Sequence, residues 1–203
     1  MKPTTVIVFA KAPVAGLAKT RLAPALGAEG AARLAARMLR HTVQQALSAG
    51  IGPVELCVTP DASHPDFMVS GVRLTLQGNG DLGQRMARAF QAALHHGQPV
   101  LLIGTDAPAL DASYLLQAAT ALLSHDAVFG PAADGGYVLV GLNQPTPQLF
   151  EGMRWSHAHV MADTRQRLAG AALRHVELPT LHDIDEAADL VHLPPGWRDE
   201  FAC

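Results

Sequence analysis

The chain has 203 residues, 49% of them hydrophobic and 16% charged, which supports one packed domain over residues 1–203, is marginal for two, and excludes a disordered chain. A net charge of -3 argues against non-specific nucleic-acid binding, which needs a basic face. No apolar stretch approaches the roughly 18 residues of a membrane span, and the apolar run in MKPTTVIVFA is too short for a signal peptide, so a cytoplasmic protein is expected.

Thr4–Ala10 is β-branched, apolar and short, and reads as a buried strand. A loop with two prolines and a glycine follows over Lys11–Pro24. Glu29–Ser48 carries Ala32, Leu34, Ala35, Met38, Leu39, Val43 and Leu47 near a period of 3.6, which predicts a helix stopped by Gly50. Val54–Thr59 is a second strand and Val72–Leu76 a third. Cys57 lies in the second strand and Cys203 ends the chain. Neither has a CxxC partner, which argues against zinc and redox motifs and fits a reduced compartment. Gly78–Gly83 is glycine-rich, and Gln84–His95 is a second helix ending at Gly97. Pro99–Thr105 is apolar throughout, as a central strand of a parallel sheet would be. Asp111 or Ser113 caps a third helix reaching about Ser124. Ala127–Gly130 and Gly136–Leu142 flank a glycine-bearing turn. His157–Gly170 is expected helical, Leu173–Leu178 a last strand, and Glu186–His192 a short terminal helix. Strands alternating with helices predict an α/β fold with a mainly parallel sheet covered on both faces.

In open α/β sheets ligands bind beyond the carboxyl ends of the strands, so the loops there carry the functional expectation. The loop after the first strand holds Lys11, Gly16, Lys19, Thr20 and Arg21. Backbone N–H groups, a lysine point charge and an arginine fork suit a polyphosphate. Ala18 stands where a Walker loop needs glycine, so that motif fails, and a solvated basic loop is the plain alternative. Gly78-Asn79-Gly80-Asp81-Leu82-Gly83 matches G-x-G-x-x-G, but outside the first βα unit, where a nicotinamide or flavin fingerprint normally sits, and with Asp81 inside the loop. Close backbone approach to a base or ribose suits it better, with Arg85 reaching a phosphate.

Asp106 leaves the central strand in Gly104-Thr105-Asp106-Ala107-Pro108. It either caps the next turn or coordinates a hard cation such as Mg2+ bridging phosphate oxygens. Asp134-Gly135-Gly136 is either a connecting turn or a place where ligand meets backbone. Asp183-Ile184-Asp185-Glu186 is compatible with a helix start, favoured there by the helix dipole. His157 and His159 invite a metal reading, but a helix capped at Ser156 fits better.

The blocks FAKAPVAGLAKTRLAP (9–24), GDLGQRM (80–86), IGTDAP (103–108), GPAADGGYVLVGL (130–142), WSHAHV (155–160) and DIDEAADL (183–190) span nearly the whole chain. In this order they resemble a bacterial family of the nucleotide-diphospho-sugar transferase superfamily, glycosyltransferase-like and radical-SAM-associated, also known as a domain of unknown function. The family's usual WST is WSH at 155–157 here, which leaves His157 without a family role. The pattern is also similar, more distantly, to the 2-phospho-lactate and molybdopterin guanylyltransferases, through a lysine-bearing loop after the first strand, a D-x-P after a central strand and a late D-x-D. The resemblance implies a GT-A-type, Rossmann-like three-layer sandwich with a mainly parallel, mixed central sheet. It further implies Asp106 and Asp185 as ligands of Mg2+ or Mn2+, with Lys19 and Arg21 on the phosphates.

Nucleotidyl transfer is the leading expectation. A nucleoside triphosphate lies across loops 11–22 and 78–85, against Lys11, Gly16, Gly80, Asp81 and Arg85. Lys19, Arg21 and Asp106 carry the chemistry. A small acceptor sits against Asp134, Gly135, Gly136, Trp155 and Ser156. Glycosyl transfer from a nucleoside-diphosphate sugar is the close rival, although Asp106 is followed by Ala-Pro rather than a second acid. A non-catalytic nucleotide-binding module and a dehydrogenase are the remaining alternatives.

Overall fold

The computed structural model describes residues 2–95 and 97–201, so Cys203 lies outside the described residues. Seven strands form one sheet: β1 (Thr5–Lys11), β2 (Val54–Thr59), β3 (Arg73–Leu76), β4 (Val100–Ile103), β5 (Ala127–Pro131), β6 (Tyr137–Leu142) and β7 (His175–Glu177). Their order is β3-β2-β1-β4-β6-β5-β7. The pairs β1–β2, β1–β4, β2–β3 and β5–β7 are parallel, and only β6 runs against its neighbours. It does so because β5 and β6 are joined by the short Ala132–Gly136 turn, too short for a parallel crossover. The expected three-layer sandwich with a mixed, mainly parallel sheet is therefore the observed fold.

Alternation along β1 shows how the two faces fill. Val6 and Val8 point into one core with Leu39 and Val43 of α1 (Ala23–Ser48) and Leu115 and Ala118 of α3 (Ala112–Ala121). Ile7 points into the other, with Met86 and Phe90 of α2 (Leu82–Leu94) and Met161 and Leu168 of α4 (Val160–Gly170). A third cluster joins α1 to the C-terminal segment: Leu22, Leu34 and Met38 meet Ile184, Leu193 and Phe201.

Several boundaries differ from expectation for local reasons. α1 begins at Ala23, not Glu29. Pro24 is tolerated in the first turn, and Gly27 (φ 70) then breaks the helix, so the amphipathic stretch read from sequence is the part beyond the break. α2 starts at Leu82, not Gln84, because Asp81 and Gln84 form a reciprocal capping box. Asp111, not Ser113, caps α3, accepting from Tyr114 N at 2.8 Å. α4 starts only at Val160. Ser156 is not its cap but a left-handed residue (φ 63), and His157 Nδ1 accepts the His159 N–H instead. The expected terminal helix is a 3-10 turn over Ala187–His192, and a further helix, α5 (Pro195–Phe201), follows it.

Candidate functional site

The strand order reverses at β1, which has β2 on one side and β4 on the other. Beyond the carboxyl ends of β1 and β4 opens a cavity of about 610 Å³. That position and size suit a small ligand with a few convergent polar groups. Among the residues singled out from sequence, Lys11, Lys19, Arg21, Asp106, Asp134, Gly136, Trp155, Ser156 and Asp185 all line it. Gly16, Gly80, Asp81, Arg85 and Gly135 do not.

The loop after β1 is tied back on itself: Lys11 Nζ donates to Leu17 O at 2.8 Å, and Gly16 (φ 75) and Lys19 (φ 48) both take left-handed backbone. This conformation is uncommon for a lysine. It turns the Lys19 side chain inward, where only 7% of it is exposed. Its Nζ lies 2.8 Å from Asp106 Oδ1 and 3.6 Å from Asp185 Oδ1. Arg21 stays 66% exposed, with Nη1 3.1 Å from Asp185 Oδ2 and 3.4 Å from Glu186 Oε1.

Three long-range contacts bring Asp185 to this point. The 179–184 segment runs beside the end of β5, where Tyr114 Oη donates to Pro179 O and Leu181 N to Pro131 O. Ile184 N then donates to Asp106 O at 2.8 Å. The fully buried Ile184 side chain packs in the same cluster as Leu22, so the residues before and after it are held beside the Lys19–Arg21 turn. Asp183, to which the sequence pattern assigns no role, lines the cavity as well. Burial, with Asp134 and Asp106 as like charges, raises its carboxyl above the ordinary carboxylate range.

Across the cavity, Asp134 Oδ1 accepts from Gly136 N at 2.8 Å. Gly135 has φ 91, and a Cβ there would strike the Ala158 backbone, so the turn needs glycine to let the 155–160 segment approach. Tyr137 packs edge-on against Phe129 and Trp155, and burial pushes its phenol well up. Gln77 is a buried wall residue that the sequence did not flag. Its Nε2 donates to Ala10 O and Cys57 O, which nothing local in the chain announces.

The glycine-rich 78–83 loop serves α2. Asp81 Oδ1 accepts from Gln84 N at 2.9 Å, and Arg85 Nε donates to Gly80 O at 2.8 Å. Arg85 borders a separate groove beside β2 and β3. Among the described residues, three buried side-chain nitrogens lack an aligned hydrogen bond: Lys19 Nζ, Trp155 Nε1 and His157 Nε2. All three belong to residues lining the one cavity. Buried polar atoms in a folded protein are nearly always satisfied, so their concentration here makes this cavity the candidate ligand site, although Lys19 Nζ is ion-paired with Asp106.

No helix among the described residues is long and apolar enough to cross a membrane. No curated protein matches the chain by sequence. A Desulfovibrio desulfuricans G20 protein, provisionally named a nucleotide-diphospho-sugar transferase, shares 32% identity and a TM-score of 0.84 over 97% of this chain and 88% of its own. CMP:2-keto-3-deoxy-manno-octonic acid synthetase, solved with CTP, superposes at a TM-score of 0.62 with 12% identity over 98% of this chain and 99% of its own. Rv0371C of Mycobacterium tuberculosis H37Rv, solved with manganese, superposes at 0.58 with 16% identity over 95% and 98%. These last two share the fold. The family model of the uncharacterized proteins conserved in bacteria called DUF2064 covers residues 42–157, and it is to this family that the chain belongs.

Proposed function

We propose that the chain, as one domain over 1–203, is a nucleotidyltransferase. It takes a nucleoside triphosphate as donor and a small phosphorylated or sugar acceptor, with Mg2+ or Mn2+ as cofactor. The observation that carries this reading is the meeting of Lys19 and Arg21 with Asp106 and Asp185 at the mouth of one cavity, beyond the carboxyl ends of β1 and β4. The CTP and manganese bound by relatives of the same fold support it.

The donor set fits a hard divalent cation. Asp106 and Asp185 offer carboxylate oxygens to one point, and Mg2+ is commonly held by one or two carboxylates plus phosphates and water. The Lys19 ammonium sits between them, which supports a cation's place at that point. Asp106 and Asp185 would hold the metal, which when bound neutralises phosphate oxygens. Lys19 and Arg21 bind phosphate and stabilise the charge that grows on it during transfer. Trp155, Ser156, Asp134 and Gly136 wall the acceptor side of the cavity.

Glycosyl transfer from a nucleoside-diphosphate sugar is the second reading, favoured by the name given to the 32%-identical neighbour. Each nucleoside triphosphate, with Mg2+ or Mn2+ and a panel of acceptors, would be assayed for pyrophosphate release. Release that Asp106→Asn abolishes is the expected result. Nucleoside diphosphate freed from a sugar nucleotide establishes the second reading. Tight nucleotide binding without turnover would reduce the chain to a binding module.

A further inference from the structure

Lys19 occupies a position that a phosphate-binding lysine has no need to take in the free protein. Its backbone is left-handed, its side chain is 7% exposed, and its ammonium lies 2.8 Å and 3.6 Å from the two carboxylates assigned above to the metal. It makes no aligned hydrogen bond to either. The contact is therefore mainly one of charge, and the lysine holds a cation's place without a directional bond to keep it there.

We infer that Lys19 is a resident counter-cation, occupying the divalent-metal position between Asp106 and Asp185 until a triphosphate draws it away. The inference rests on the proposed metal site and deepens it. Four carboxylates line this cavity: Asp106, Asp134, Asp183 and Asp185. Unneutralised, they would repel one another in a partly buried space. Lys19 relieves that repulsion in the free chain. Metal entering alone must displace the ammonium and leave it buried without a partner, so metal alone binds weakly. A polyphosphate supplies Lys19 with new oxygens and frees the carboxylates. Metal and nucleotide then favour each other's binding by the same factor, as linkage requires. The site stays closed to free divalent cations and assembles around the donor.

The test is a Mn2+ titration without nucleotide, followed by the electron paramagnetic resonance signal of the free aquo ion. Wild type, Lys19→Met, Arg21→Met and Lys19→Met/Asp106→Asn are compared. Arg21 carries the same charge and also reaches Asp185, but it is 66% exposed. Lys19→Met should bind Mn2+ about tenfold tighter or more than wild type, and Arg21→Met about threefold tighter at most, because the Lys19 ammonium is withdrawn from water whereas both partners of the Arg21 pair are solvent-screened. The double variant should lose the gain. Lys19→Met binding no tighter than wild type, or Arg21→Met matching it, overturns the inference. If wild type nevertheless releases pyrophosphate from a triphosphate with metal, the transferase reading survives that failure. If no form binds Mn2+ and no pyrophosphate appears, both fall.

Discussion

Ile184→Ala tests the claim that one buried side chain holds the late acids at the cavity. Ile184 is fully buried in one cluster with Leu22, with Leu34 and Met38 of α1, and with Leu193 and Phe201 near the C-terminal end. Truncation to alanine removes methyl and methylene groups from a site whose walls come from three separate stretches and cannot all close in. The expected loss is about 3 kcal/mol, within the range for isoleucine truncation in cores, and about 1 kcal/mol for Ile184→Val. For a chain of this size the alanine loss lowers Tm by roughly 6–12 °C. Urea unfolding would measure it as a shifted midpoint with unchanged slope. An alanine loss under about 1 kcal/mol, or equal losses for alanine and valine, would refute the anchoring argument.

Asp81→Ala removes the capping box of α2 and should cost about 1 kcal/mol in thermal unfolding. A fall in nucleotide affinity beyond that change would place the carboxylate on substrate after all. Glu177 takes two 2.7 Å bonds from Arg165, which hold its carboxyl below the ordinary 4.5. The stability this pair adds is therefore present above pH 4.5 and lost as pH falls through the lowered native value. Glu177→Gln should cost up to about 1 kcal/mol at pH 7 and nothing in strong acid, as read from unfolding curves across pH. Asp183→Asn should raise Tm at pH 7, because burial and the charges of Asp134 and Asp106 oppose the ionised carboxylate. A raised native value means wild type is relatively most stable below the ordinary 3.8 and loses ground as pH rises, so the gain from asparagine should vanish in acid. A lower Tm at pH 7 would mean that Asp183 is held by favourable contacts instead.

The layer architecture was legible because its signals are local. β4 reads VLLI, apolar on both sides, and is buried at every position. Such a strand is central, and that puts Asp106 just beyond the carboxyl edge of the sheet. The loop from Lys11 to Arg21 was legible for the same reason: it follows the first buried strand. The glycine-rich 78–83 stretch was ambiguous because glycine and aspartate serve a helix cap as well as a ligand, and here Asp81 and Gln84 form the capping box of α2. Ser156 misled in a similar way, since serine suits an N-cap, but its left-handed backbone sends the chain past the cavity before α4 begins. α5 was missed because Leu193-Pro194-Pro195-Gly196 reads as loop, and its reason to be helical is Phe201 docking on distant residues of α1.

The acids at 183 and 185 show where sequence reading reaches its physical limit. Asp-Ile-Asp-Glu has no local signature separating a helix start from a binding site, and the first turn of any helix welcomes acids. What separates the two outcomes is the residue between the aspartates. Ile184 is drawn into a core made by residues far away along the chain, and its N–H is spent on Asp106 O. An apolar side chain flanked by two acids, once buried, forces both carboxylates to the rim of its pocket. Leu22 does the same for Arg21 from the other side. The opposing charges thus meet because their apolar neighbours share a core. Attraction between exposed charges alone would be too weak to fix them. Apolar packing also explains how four carboxylates can be kept around one cavity although their mutual repulsion opposes folding: the hydrophobic cluster stabilises the arrangement, and Lys19 neutralises part of what remains.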